Sequence, residues 1–306
     1  MQFDGIVFPG QGTQFLGMGK DFVDLYEEAK QVFNIAKQAI NTDLYSICQN
    51  DEAKLNSTEY TQPCIVALEI AMYRALKHNY RINPKFFAGH SLGEYSALVA
   101  AEVIPLDIAL KIVKYRGKLM QETTSGSMVA IISENLPLEE IKSICDTNNI
   151  DIANDNSINQ IVISGYNENI KTAVSEIEAK FTVRSVYLNV KAPFHSRYMQ
   201  PIEDPFKQYL LLFKQEFDTK NLISVISNYY GDFYPNNSVD TLIEALTKQL
   251  SSSVKWRNNM DAFIKSTNDI LEIGPASPLR GFFKSIGINI QAVTNTKTLN
   301  KAFMEA

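Results

Sequence analysis

The chain has 306 residues, of which 45% are hydrophobic and 21% charged, and 29 Lys plus Arg against 34 Asp plus Glu leave a net charge of −5. That length holds two domains, or one large domain with an insert, and a core that needs neither disulfide nor metal. There is no basic excess to suggest nucleic acid as a partner, no apolar run reaches the ~18 residues of a membrane span, and collagenous, coiled-coil and disordered compositions are excluded.

Met1-Gln2-Phe3-Asp4 carries no basic segment ahead of an apolar core, so no signal peptide is expected and the cytoplasm is the expected compartment. Cys48, Cys64 and Cys145 are odd in number and far apart, as reduced, isolated thiols would be. Without a CxxC or paired histidines, a structural zinc site is not expected.

In chain order, residues 3–8 (FDGIVF) read as a short apolar strand, followed by the turn-rich Pro9-Gly10-Gln11-Gly12-Thr13-Gln14. Glycines cluster in this first stretch, which suggests a tightly bent loop or backbone in close approach to a ligand. Helical apolar spacing marks 20–41 and 63–80. Residues 85–89 (KFFAG) form a brief apolar run, then comes Gly-His-Ser-Leu-Gly, then a helix from Glu94. A further helix covers about 107–121.

The pattern then changes. Strands at 127–133, 150–156, 160–165 and 182–190 alternate with helices at 137–147 and 167–181, in the order β-α-β-β-α-β of a ferredoxin-like split unit. After residue 196 the α/β pattern resumes, with a helix after Pro201, a strand at 223–228, helices at 239–250 and 256–266, and a strand at 269–273. The expected fold is α/β: a hydrolase-like, parallel-sheet large domain (1–124 and 198–306) carrying an inserted ferredoxin-like small domain (125–197).

Gly89-His90-Ser91-Leu92-Gly93 fits G-x-S-x-G between a strand and a helix, the setting of a nucleophile elbow. The helix N-terminus that follows favours developing negative charge. An equally simple reading makes Ser91 a helix N-cap, with Glu94 completing a Ser-x-x-Glu capping box. A serine nucleophile needs a base, and the chain has three histidines. His90 is adjacent, where neighbouring side chains diverge at such a turn. His78 lies in a polar helical run and reads as solvated. His195 follows a strand at the expected domain junction, a favoured place for a ligand cleft.

Several motifs together resemble one family. They are Phe8-Pro9-Gly10-Gln11-Gly12-Thr13-Gln14, Thr61-Gln62-Pro63, Ala88-Gly89-His90-Ser91-Leu92-Gly93-Glu94-Tyr95 and Tyr115-Arg116-Gly117-Lys118-Leu119-Met120. Asn156-Ser157, Ala192-Pro193-Phe194-His195-Ser196, Gln249-Leu250 with Val254-Lys255-Trp256, and Glu272-Ile273-Gly274-Pro275 follow. In this order, and over essentially the whole chain, they resemble the malonyl-CoA:acyl carrier protein transacylases of fatty acid and polyketide synthesis.

The resemblance implies a Ser-His dyad with Ser91 as nucleophile and His195 as base and then acid. It implies an oxyanion hole from Gln11 and the Leu92 N–H, Arg116 as partner of the malonyl carboxylate, and the Gln249 carbonyl orienting His195. It also implies malonyl-CoA and an acyl carrier protein as partners, and neither a metal nor a bound organic cofactor. Carrier proteins of this kind are acidic, so a local basic patch is expected on this acidic chain. Its candidates are Lys111, Lys114 and Lys118 beside Arg116, and Arg184, Lys191 and Arg197 on the small domain. A stand-alone acyltransferase serving a polyketide assembly line and an editing acyl hydrolase on the same scaffold are the alternatives.

Overall fold

A computed structural model describes residues 3–303; Met1 and Gln2, where the leader reading begins, lie outside the described residues. The strands are β1 (Gly5–Phe8), β2 (Phe86–Gly89), β3 (Ser127–Ile132), β4 (Asp151–Ser157), β5 (Gln160–Gly165), β6 (Arg184–Tyr187), β7 (Ile226–Ser227), β8 (Asp232–Phe233), β9 (Ile270–Ile273) and β10 (Gln291–Val293). β1, β2, β9 and β10 form a parallel sheet in the order β10-β9-β1-β2. β1 and β9 are buried along their whole length, which is why their sequences do not alternate apolar with polar residues; the one charged residue, Glu272, is buried and accepts from the Leu279 and Arg280 N–H groups. Helices cover this sheet, and the Thr58–Asn79 helix is buried around most of its circumference. That helix starts five residues before Pro63, where the sequence placed its beginning.

β3 to β6 form a separate antiparallel sheet in the order β4-β5-β3-β6. Relabelled in chain order this is 2-3-1-4, the arrangement expected of the β-α-β-β-α-β pattern. Side chains alternate across it. Val129, Ile131, Ile161 and Ile163 pack with Ile141, Ile144, Ile170 and Ile177 of the two helices on one face. Met128, Ala130, Asn154, Asn156 and Val162 point the other way and line a cleft against the parallel-sheet layer. The period-2 pattern therefore builds a core and one wall of the site from the same strands.

Three expected elements differ. The 20–41 helix is two, Lys20–Leu25 and Glu27–Ile40, separated at Tyr26, whose backbone is extended. The 182–190 strand shortens to β6, which has β3 on one side only. The 223–228 strand is a 3-10 turn, Thr219–Ser224, and the two-residue β7. Among the described residues, no helix is long and apolar enough to cross a membrane. The three cysteines are buried and unpaired.

Candidate active site

β2 ends at Gly89, and the chain reverses into the Gly93–Ala100 helix through Ser91, whose φ is +50°. A left-handed backbone is costly for a residue with a Cβ and is a mark of functional turns. The flanking glycines make the reversal possible. A Cβ on Gly89 would collide with the Gly93 carbonyl, and one on Gly93 would collide with the Phe8 carbonyl oxygen. The capping-box alternative fails here: Leu92 is the N-cap residue, no side chain caps the helix, and the Ser91 hydroxyl points elsewhere.

Ser91 Oγ lies 2.6 Å from His195 Nε2. His195 Nδ1 lies 2.8 Å from the Gln249 carbonyl oxygen. A carbonyl only accepts, so Nδ1 carries the hydrogen and Nε2 of the neutral ring faces Ser91 as an acceptor. Burial, then the nearby Arg116 charge, pushes the His195 pKa down to about 3. His195 also has a left-handed backbone, φ +57°, and its N–H donates to the Leu250 carbonyl. The other two histidines behave differently. His90 Nε2 lies 2.7 Å from Asn156 Oδ1, and its ring packs near Trp256 and Phe282. His78 is largely exposed, beside Glu28.

Arg116, 1% exposed, projects from the Leu106–Glu122 helix into the same cleft. Its Nη1 donates to Gln62 Oε1 (3.0 Å), and its Nη2 to Gln249 Oε1 (2.9 Å) and Ser91 Oγ (3.3 Å). Its Nε has no partner among the described residues. A buried cation held by neutral acceptors is costly, and burial draws its pKa down from the ordinary arginine value. An incoming carboxylate would relieve that cost with two-point geometry.

Gln11 and Leu92 also line the cleft, whose volume is about 810 Å³. The Gln11 side chain donates to Thr58 Oγ1 at 3.3 Å. Among the described residues, neither the Gln11 nor the Leu92 backbone N–H has a recorded acceptor. Phe194, Asn156, Asn154 and Phe282 complete the walls.

Of the six residues marked by the sequence motifs, Ser91, His195, Arg116, Gln11 and Leu92 line this cleft, and Gln249 lies behind it, bonded to His195 and Arg116. The motifs did not reveal the rest of the layer behind them. Asn228 Oδ1 accepts from the Ser91 N–H (2.8 Å), and its Nδ2 donates to the Gly89 carbonyl (2.7 Å). Gln62 holds Arg116, although the sequence marked it only as part of Thr61-Gln62-Pro63. Glu94 is fully buried and accepts from Asn228 N, Gln249 Nε2 and Tyr234 Oη. Burial raises its pKa, against those hydrogen bonds.

The basic candidates divide. Lys111 pairs with Asp107 and Lys118 with Glu122. Lys114 donates to the Ile40 carbonyl and Thr42, and Arg197 forks onto Asp151. Arg184 and Lys191 make no ion pair among the described residues.

A strained serine on a strand-to-helix turn, a histidine on its oxygen and a buried arginine thus meet in one cleft. Residues 6–274 match the model of the acyl transferase domain family, and the chain belongs to that family. It is 35% identical over 309 residues to the malonyl CoA-acyl carrier protein transacylase of Staphylococcus aureus, covering 98% of this chain and 97% of that protein. The solved malonyl CoA-acyl carrier protein transacylase of Clostridium perfringens superposes with a TM-score of 0.90 at 36% identity, covering 98% of this chain and 96% of that one. A malonyl-transacylase solved in complex with its type II polyketide synthase acyl-carrier protein superposes with a TM-score of 0.91 at 33% identity, over the full length of both chains. Against the polyketide biosynthesis protein PksE of Bacillus subtilis, 34% identical over 97% of this chain, the match spans 38% of the longer protein.

Proposed function

We propose that this acyltransferase moves a malonyl group from malonyl-CoA to the phosphopantetheine thiol of an acyl carrier protein, through an ester on Ser91. The observation that carries the reading is one oxygen, Ser91 Oγ, within hydrogen-bond reach of both a neutral imidazole and a buried guanidinium. The first group makes the serine a nucleophile, and the second selects an acyl chain that ends in a carboxylate.

In the proposed sequence, Ser91 Oγ attacks the thioester carbonyl carbon and its proton passes to His195 Nε2. The carbonyl oxygen becomes an oxyanion held by the Leu92 and Gln11 N–H groups, where one well-placed donor is worth ~3 kcal/mol. Collapse breaks the C–S bond, and the departing CoA sulfur takes the proton from His195. The carrier thiol then gives its proton to His195 and attacks the ester carbon, and Ser91 recovers its proton as it leaves. Gln249, through its backbone carbonyl, holds the ring for both steps. Protein groups suffice for every step. We assign residues 125–197 to a small lobe and 1–124 with 198–306 to the large one, and we propose the cytoplasm as the compartment. Either a fatty acid or a polyketide carrier fits this chemistry.

The test is the mass of a phosphopantetheine-bearing carrier protein after mixing with malonyl-CoA and the enzyme. Wild type should load malonyl onto the carrier and Ser91→Ala should not. Release of free malonate with the carrier left unloaded would favour the editing hydrolase.

A further inference from the structure

Glu94 is an acid buried in the first turn of the helix that follows Ser91, with no exposed surface and no part in the proton transfers above. We propose that it is a positioning residue: its carboxyl group holds the nucleophile's turn, the base and the acyl-pocket cation in one arrangement, acting through the side chains of Asn228 and Gln249. The inference rests on the roles proposed for Ser91, His195 and Arg116.

The geometry has three arms. Glu94 Oε2 accepts from the Asn228 N–H at 3.0 Å, and Asn228 in turn bonds the Ser91 N–H and the Gly89 carbonyl, the two sides of the strained turn. The same Oε2 accepts from Gln249 Nε2 at 2.6 Å. That bond, with a 3.1 Å bond from the same Nε2 to the Ser91 carbonyl oxygen, sets which way the Gln249 amide faces, so that Oε1 meets Arg116 Nη2; the backbone carbonyl of the same residue meets His195 Nδ1. Glu94 Oε1 accepts from Tyr234 Oη at 2.6 Å, which holds the carboxyl group itself. An amide has one accepting and one donating end. Without an acceptor at the Glu94 position, the Gln249 amide loses the shorter of the two bonds that keep its oxygen on Arg116 and is left with the 3.1 Å bond from Nε2 to the Ser91 carbonyl.

Glu69 provides the contrast. It is equally buried, but among the described residues its side chain accepts from Ser96 and from no member of the site. A glutamine in place of Glu94 can keep the arrangement: its oxygen accepts from Asn228 and Gln249, while its NH₂ donates to Tyr234 Oη.

Two readouts test this in the full-length protein. The first is the rate at which a fluorophosphonate probe labels Ser91, which needs no acyl donor. The second is the ratio of malonyl to acetyl ester formed from the two CoA thioesters, which reads Arg116. Glu94→Ala should slow labelling by about 30-fold or more and cut the malonyl preference about tenfold, and Glu94→Gln should restore both to within about fivefold of wild type. In a Gln249→Ala background, Glu94→Ala should lower the malonyl preference by less than about twofold further, because the path to Arg116 is already gone. The proposal is overturned if Glu94→Ala leaves both readouts intact, if Glu94→Gln is as impaired as Glu94→Ala, if the two substitutions act additively on the preference, or if Glu69→Ala does equal damage. A wild type that labels in a Glu94-dependent way but forms no malonyl ester would sink the transferase reading and leave the positioning of Ser91 standing.

Discussion

Ser91 and His195 each hold a left-handed backbone, and each is pinned by hydrogen bonds to its own main chain. The strain is local, and what it achieves is a 2.6 Å approach between two side chains 104 residues apart. The protonation state follows from the surroundings. Burial and Arg116 drive the His195 pKa down to about 3. Protonation would remove the base, so activity is lost as pH falls through that lowered value rather than through the ordinary imidazole range. At low malonyl-CoA, where kcat/KM reports the free enzyme, ester formation should stay flat from pH 8 to pH 5. An acid limb with a midpoint near 6.5 would contradict this. Motif reading found these residues because each sits in a short run of unusual composition. It missed the bonds of Asn228 and Glu94 because their partners lie more than 130 positions away, and a local pattern, Ser-x-x-Glu, offered a nearer explanation for Glu94.

Elements carry the site through backbone approach. β2 and the Gly93–Ala100 helix meet at two glycines with no room for a methyl group on either. Gly89→Ala should therefore displace the turn, cut ester formation by about 100-fold or more and lower the melting temperature by several degrees. Labelling kinetics and a thermal melt check this, and a near-normal rate would show that the turn tolerates the shift. Strands and helices with strong periodicity were legible along the chain, including the full β-α-β-β-α-β order of the antiparallel sheet. What was not legible is where weak elements stop. β6 pairs with β3 only as far as Tyr187, although the alternation continues to Val190. β7 is short because a 3-10 turn occupies the residues before it.

At the scale of the whole molecule, the cleft lies between a parallel and an antiparallel sheet, and each contributes a different part of the chemistry. The large layer supplies Ser91 and Arg116, while β3, β4 and β5 supply a wall of apolar and amide side chains. A carrier protein must dock at this opening to deliver its thiol. Arg184 and Lys191 are the candidates from the basic set that no acid neutralises among the described residues, whereas Arg197 is held by Asp151. Reversing both, with Arg184→Glu and Lys191→Glu, should slow transfer to an acidic carrier about tenfold while sparing ester formation from malonyl-CoA. Paired rate measurements with the two acceptor conditions decide it, and equal loss of both steps, or of neither, counts against this docking face.

The proposed chemistry turns on an acyl ester at Ser91 chosen by Arg116. Intact-protein mass spectrometry after mixing with malonyl-CoA or acetyl-CoA tests it most directly, on wild type, Ser91→Ala and Arg116→Ala, each followed by addition of carrier protein. Wild type should show a malonyl adduct that moves to the carrier, Ser91→Ala should show none, and Arg116→Ala should lose the malonyl preference. Acetyl loading as readily as malonyl on wild type, and leaving only to water, would contradict this chemistry.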